Sequence, residues 1–222
     1  KIFEIYKMIV GSTKEDLSLE KRVSLTPETA KNIIGLGLKV CVEKDYANHL
    51  GIQDTDYKKI GAEIKNTKKE VLDSSDLIIK VNCPSENEIS NLKEKTIIVG
   101  MLNPSKNKNK INEIIKKKLN IFSLELLPRI TRAQSMDVLS SQSNLAGYRA
   151  VVDCVNEFEK AIPMMMTAAG TVPAAKVLII GAGVAGLQAI ATAKRLGAIV
   201  FATDVRVASK EQVESLGGKF LT

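Results

Sequence analysis

Three glycines and one acid carry the first chemical suggestion. Gly181, Gly183 and Gly186 stand as G-x-G-x-x-G within "KVLIIGAGVAGLQ", and Asp204 follows 23 residues after the first of them. Residues of these types at this spacing suit a dinucleotide. A first glycine permits a tight turn, a second lets the backbone approach a diphosphate, and a third lets the following helix lie against the strand. The free N–H groups of the helix start, at Val184, then face the phosphates. A carboxylate at Asp204 accepts from both ribose hydroxyls of NAD and repels the 2′-phosphate of NADP, a rejection that Arg206 softens. The plainer explanation is a structural turn with a capping aspartate. A second concentration of chemistry, "PRITRAQSMDVLSSQSNLAGYRA", spans residues 128–150. It sets Arg129, Gln134 and Asp137 at the mouth of a long helical stretch, where Asp137, Ser140, Ser141 and Asn144 form one polar stripe at i, i+3, i+4 and i+7. Such a stripe is either a solvent face or a surface that meets a ligand, and the residues alone leave both open.

The elements that must position these residues are legible around them. "KVLII" reads as a buried strand, "VAGLQAIATAKRLG" as a helix stopped by Gly197, and "AIVFATD" as a second strand ending at Asp204. "SKEQVESLGG" reads as a helix capped by Ser209, and "GKFLT" opens a third strand. Upstream, "YKMIVGS", "KVCVEK", "DLIIKV", "KTIIVGML" and "NIFSLEL" are strands. Between them lie helices such as "TPETAKNIIGLGL", with Thr26 as N-cap and Pro27 in the first turn. This alternation predicts an α/β fold of two Rossmann-like domains, each a parallel, helix-covered sheet. The expected division is residues 1–134 for an N-terminal α/β domain, 135–162 for an interdomain helix with a soft point at Gly147, and 163–222 for the first half of a nucleotide-binding domain. "PMMMTAAGTVPAA" reads as a loop. A doubly wound sheet needs about six strands, so the second domain is expected to be truncated at Thr222 and the chain to be an excerpt.

Composition removes several function classes. Of 222 residues, 45% are hydrophobic and 26% charged, ordinary for a globular protein. No apolar run reaches the ~18 residues that cross a bilayer. The net charge of +7 comes mainly from scattered lysines, and with aromatics at only 4% and no Trp the surfaces on which bases stack are scarce; no nucleic acid is expected. Three distant cysteines and the lone His49, read as a loop residue, give no zinc spacing and no disulfide framework, and point to a reducing compartment. No metal site is expected.

The segments "ELLPRITRAQSMDVLSSQSNLAGYRAV" and "MMMTAAGTVPAAKVLIIGAGVAGLQAIATAKRLGAIVFATDVR" together resemble the NAD(H)-binding component of the proton-translocating NAD(P) transhydrogenases. The likeness runs on through "KEQVESLGGKF" and, more loosely, back to "EKRVSLTPE" and "DLIIKV". It implies a loop of Arg129, Gln134 and Asp137 that grips the nicotinamide and its ribose. Arg129 would hold the carboxamide side, Gln134 would bridge towards a second nucleotide, and Asp137 and Ser140 would orient the ribose. With Gly181, Gly183, Val184, Gly186 and Asp204 these make up the implied NAD(H) site. The chemistry implied is direct hydride transfer from NADH to NADP⁺ held by a separate domain, coupled by a transmembrane partner to proton movement. The resemblance also implies a homodimer on the cytoplasmic or organelle-interior face of a membrane. Hydride passing between two nicotinamide carbons needs no side chain to carry a proton, and positioning alone supplies about 7–11 kcal/mol. Glu125 and Tyr148 flank the loop and are expected to support it or join the core.

A sister family, alanine dehydrogenase, shares the N-terminal pattern, and its substrate arginine and lysine align with Arg22 and Lys80. Its catalytic histidine has no counterpart in "VGMLNPSKN", a loss of about 10²–10⁴ in rate for that chemistry. Arg22 and Lys80 are therefore expected to pair with nearby carboxylates. A non-catalytic NAD-binding domain is the remaining alternative, though nucleotide sensing has no use for a bridging Gln134.

Overall fold

The protein is described by a computed structural model covering residues 8–128 and 130–222. It comprises two compact units, Lys1–Met136 and Asp137–Thr222.

The first unit is a six-stranded sheet of β1 (Ile9–Ser12), β2 (Lys39–Glu43), β3 (Glu63–Lys65), β4 (Leu77–Asn82), β5 (Ile97–Met101) and β6 (Asn120–Ser123). Every pairing is parallel, in the order β3-β2-β1-β4-β5-β6, that of a doubly wound nucleotide-binding sheet. The helices are α1 (Pro27–Gly35), α2 (Asp54–Lys59), α3 (Lys68–Ser74), α4 (Glu86–Asn91) and α5 (Lys108–Lys116). Helix α1 begins as its sequence dictates. The Thr26 hydroxyl accepts from the Thr29 amide, the Thr29 hydroxyl accepts from the Thr26 amide, and Pro27 stands where no intrahelical donor is needed. Alternation along β2 sends Val40 and Val42 into one core with Tyr46 and Tyr57, while Cys41 enters the other with Ile78 and Ile98. Both faces of the sheet are therefore covered, as the continuous apolar strands required.

In the second unit, β9 (Lys176–Ile180), β10 (Ile199–Thr203) and β11 (Lys219–Phe220) form a parallel sheet ordered β11-β10-β9. It packs against α6 (Val138–Glu157), α7 (Val184–Arg195) and α8 (Lys210–Ser215). Val177 and Ile179 of β9 face the core with Ile190 and Ala193, whereas Leu178 and Ile180 stay 57% and 83% exposed on the other face.

Several local expectations change. The helical stretch expected over 135–162 is a 3₁₀ helix, Thr131–Met136, followed by α6, which starts after the Asp137 cap and ends at Phe158. Gly147 is no soft point. It lies inside α6, and a Cβ there would stand 2.1 Å from the Ala185 carbonyl oxygen, so it is the close crossing of α6 over α7. The expected loop around the methionines is an antiparallel hairpin, β7 (Met165–Thr167) with β8 (Gly170–Val172), closed by Gly170 at φ 136°. Ser209 makes no side-chain cap, because a 3₁₀ turn, Val207–Ser209, already leads into α8 with Ser209 in helical geometry. Tyr148, expected to support the polar loop or join the core, is 51% exposed.

Candidate functional site

The glycine turn joins β9 to α7, and its three glycines do different work. Gly181 has φ 98°, a left-handed backbone that side chains strain to adopt. A Cβ on Gly186 would fall 1.8 Å from the Gly181 carbonyl oxygen, so only glycine lets α7 close onto the turn. Gly183 is different. Its φ of −79° suits any residue, and a Cβ there would meet nothing within 4 Å. Neither conformation nor internal packing asks for glycine at 183. Gly183 is also the N-cap of α7 and provides no side-chain cap, so the helix-start amides beyond it, from Val184 on, are left to other acceptors.

Asp204, just after β10, closes the other side of the turn. Its Oδ2 accepts from the Ala182 amide at 2.7 Å, which fixes the acid to the turn. Its Oδ1 accepts from the Arg206 amide at 2.8 Å and from Arg206 Nε at 3.0 Å, while Arg206 NH2 donates to Oδ2 at 3.2 Å. The Arg206 side chain, then its amide and that of Ala182, hold the Asp204 carboxyl far below the usual carboxylate range. Asp204 therefore does cap the turn, as the plainer reading has it, but as an anion.

Helix α6 brings in the polar stripe. Gly147 meets Ala185, and farther on Val151, Val155 and Phe158 line the same groove as Ala189, Ala193 and Leu196, so α6 and α7 run parallel. Nine residues of α6, about 13 Å at helical rise, precede Gly147, whereas α7 starts one residue before Ala185. The first turns of α6 thus reach past the start of α7. Asp137 caps α6: its Oδ1 accepts from the Ser140 amide at 2.9 Å and its Oδ2 from the Ser140 hydroxyl at 2.7 Å. Ser141 donates to the Val138 carbonyl, and Asn144 Nδ2 donates to Gln188 Oε1 on α7 at 3.2 Å. The structure so groups Asp137 with Ser140, and Gly181, Gly183, Val184 and Gly186 with Asp204, all in one compact unit. Gln134 is exposed in the 3₁₀ helix Thr131–Met136 of the first unit, and Arg129 lies outside the described residues.

The first unit has a polar cleft of its own, of about 840 Å³, lined among others by Glu15, Glu20, Lys80, Asn82 and Glu88. It opens beyond the carboxyl ends of β1 and β4, where the strand order reverses. Lys80 Nζ is buried, 2.7 Å from Glu88 Oε1 and 3.6 Å from Glu15 Oε2, and it donates to the Thr13 hydroxyl at 3.3 Å. Burial alone works to raise the Glu88 carboxyl. Lys80, the Ser85 amide and Lys68 outweigh it and bring the group down to about 2. Arg22 grips Glu20 through Nε at 2.9 Å and NH2 at 2.6 Å. Both basic residues are thus held by carboxylates. Sequence reasoning missed Glu15, Glu20 and Glu88, which pair across separate elements and leave no short-range pattern. Glu125, expected to support the loop or join the core, is half-buried, and its Oε1 accepts from the Ser123 hydroxyl and the Asn103 amide. His49 hydrogen-bonds the Lys21 carbonyl on an exposed turn. Among the described residues no helix is long and apolar enough to cross a membrane.

Strand, glycine turn, helix, second strand and terminal acid, together with a complete 3-2-1-4-5-6 sheet, define an α/β protein built on the doubly wound plan. Residues 11–146 match the family "Alanine dehydrogenase/PNT, N-terminal domain" and residues 150–222 match "Alanine dehydrogenase/PNT, C-terminal domain". The chain belongs to the alanine dehydrogenase/PNT family. It is 50% identical over 220 residues to the first portion of a divided NAD(P) transhydrogenase subunit alpha from Rhodospirillum rubrum, covering 97% of this chain and 57% of that protein. It is 30% identical to an alanine dehydrogenase of Methanococcus maripaludis, covering 97% and 58%. A solved transhydrogenase structure from Sinorhizobium meliloti superposes with a TM-score of 0.92 at 50% identity, over 96% of this chain and 64% of that one. The chain thus spans somewhat more than half the length of the curated relatives it matches.

Proposed function

We propose that this chain is the NAD(H)-binding part of a transhydrogenase that moves hydride directly between NADH and NADP⁺. One observation carries the nucleotide reading: Gly183, which neither backbone nor packing requires to be glycine, leaves open the face of the turn that a diphosphate approaches. Bound NADH supplies the chemistry, a hydride with its electron pair passed to NADP⁺ on a partner domain. The chain's own residues bind and orient. The Gly181–Gly186 backbone and the α7 amides from Val184 on hold the diphosphate, and Asp204 takes the adenosine ribose. Asp137 and Ser140, at the projecting end of α6, orient the nicotinamide ribose, while Arg129 and Gln134 hold the ring and face the second nucleotide. Residues 1–134 act as the first domain, 135–162 as the link, and 163–222 as the opening half of the nucleotide domain. The partners are the NADP-binding and transmembrane proton-translocating domains of the same enzyme and a second copy of this chain, at the cytoplasmic or organelle-interior face of a membrane.

Alanine dehydrogenase chemistry is disfavoured because Lys80 and Arg22, which would receive the substrate, are engaged by Glu88, Glu15 and Glu20. The test uses the full-length protein mixed with its NADP-binding partner, following hydride exchange from NADH to an NAD analogue in the presence of NADP(H). Exchange supports the proposal. NADH binding without exchange leaves the regulatory reading, and NADH oxidation driven by pyruvate and ammonia turns the assignment to the sister family.

A further inference from the structure

Both oxygens of Asp204 are already fully engaged. An ionised carboxylate offers about four lone-pair positions, and four donors fill them: the amides of Ala182 and Arg206 and two guanidinium nitrogens of Arg206. The Asp204 side chain keeps 7% of its accessible surface beneath an arginine that keeps 63%. Two of the four donors are backbone and fixed by the turn. The guanidinium is the pair that can leave, and it presents to the acid what a ribose diol presents, two adjacent donors.

We infer that Arg206 is an internal competitor for Asp204 that the nucleotide ribose must displace, and that the displaced guanidinium narrows the preference for NAD over NADP. The inference rests on the nucleotide reading proposed above. With Arg206 seated, no ribose hydroxyl can reach the acid, so part of the binding energy goes into moving it. Once displaced, the guanidinium stays tethered two residues from the acid. Its planar fork suits a 2′-phosphate, which an uncovered Asp204 repels. Arg206 therefore weakens NAD(H) binding and offsets the exclusion of NADP(H).

NADH and NADPH fluorescence titrations of the full-length protein test this at low and high ionic strength, comparing the parent with Arg206→Ala, Arg206→Lys and Asp204→Asn. Arg206→Ala is expected to tighten NADH binding roughly two- to fivefold, the range of an exposed ion pair. It should widen the NADPH-to-NADH ratio of Kd values at least about tenfold, with the change shrinking as salt screens the charges. Arg206→Lys, which keeps the charge but loses the fork, should fall between. An unchanged ratio, or weaker NADH binding in Arg206→Ala, overturns the inference while leaving the nucleotide reading intact. If the parent binds neither nucleotide, or Asp204→Asn binds NADH as well as the parent, the nucleotide reading fails and the role of Arg206 goes with it.

Discussion

Replacing Gly183 by serine separates the two explanations of the glycine turn. The position has φ −79° and ψ −168°, an extended conformation serine adopts freely, and its Cβ meets nothing within 4 Å. Serine also caps helices better than glycine by a few tenths of a kcal/mol. Loss of glycine's freedom in the unfolded chain adds roughly 0.4–1 kcal/mol. Stability should therefore rise slightly, by about 1–4 °C in Tm for a chain of this size. Binding should move the other way. The serine hydroxyl would accept from the α7 amides that phosphate oxygens need, and its bulk would fill the approach. Each charge-assisted hydrogen bond lost is worth about 1.5–3 kcal/mol, so NADH should bind at least ten- to a hundredfold more weakly. The assays are a thermal scan without nucleotide and an NADH titration of the full-length protein. Parent-like affinity in a stable Gly183→Ser variant would refute the reasoning, since the open face would then have no part in binding. Gly186→Ala is the companion. Its Cβ would fall 1.8 Å from the Gly181 carbonyl, so it should lose stability as well as affinity and cannot make the distinction alone.

Other positions give sharper tests of packing and charge. Gly147→Ala forces a methyl to within 2.1 Å of the Ala185 carbonyl and should cost about 1–3 kcal/mol through overpacking of α6 on α7, read as a lower urea midpoint. Lys80→Met leaves Glu88 and Glu15 buried without their main cation and should cost about 3–5 kcal/mol; adding Glu88→Leu should recover part of it, and no recovery would show that charge burial is not the cause. The Glu88 carboxyl, brought down to about 2, releases its proton more readily in the folded than in the unfolded chain. Its contribution to stability is thus complete above about pH 5 and is lost as pH falls towards the folded value, by at most about 3 kcal/mol. Glu88→Gln should flatten that part of the acid-unfolding curve, followed by circular dichroism.

What could be read in the sequence was local. G-x-G-x-x-G carries its own strand and helix within a dozen residues, and Asp204 ends the next strand, so turn, helix and acid were all legible. The Thr26–Pro27 helix start was legible for the same reason. Gly147 was not, because a glycine inside a helix looks alike whether it loosens the helix or admits a neighbour, and only the Ala185 carbonyl distinguishes them. The pairing of Lys80 with Glu15 and Glu88 joins residues from separate elements, so an expected partner could be anticipated but not named. The methionine hairpin was hidden by Pro163, Pro173 and Gly170, residues that mark loops and tight hairpins equally well. Arg206 stands two residues from Asp204, and its presence was plain, yet the filling of all four lone-pair positions is a matter of geometry.

The two units use the same strand plan to opposite ends. In each, polar residues gather beyond the carboxyl ends of parallel strands, where doubly wound sheets take their ligands. In the first unit the reversal between β1 and β4 is surrounded by acids and bases that answer one another: Lys80 with Glu88 and Glu15, Lys68 with Glu88, Arg22 with Glu20. A ligand there would have to break buried ion pairs and leave Glu88 or Lys80 uncompensated, at a cost of several kcal/mol. In the second unit the turn presents bare backbone at Gly183, and the charge pair on it, Asp204 with Arg206, has an exposed and movable cation. Releasing that cation costs little, because water solvates it as it leaves. The contrast in what must be broken argues that nucleotide enters at the glycine turn, while the first unit, its charges already matched, acts as scaffold.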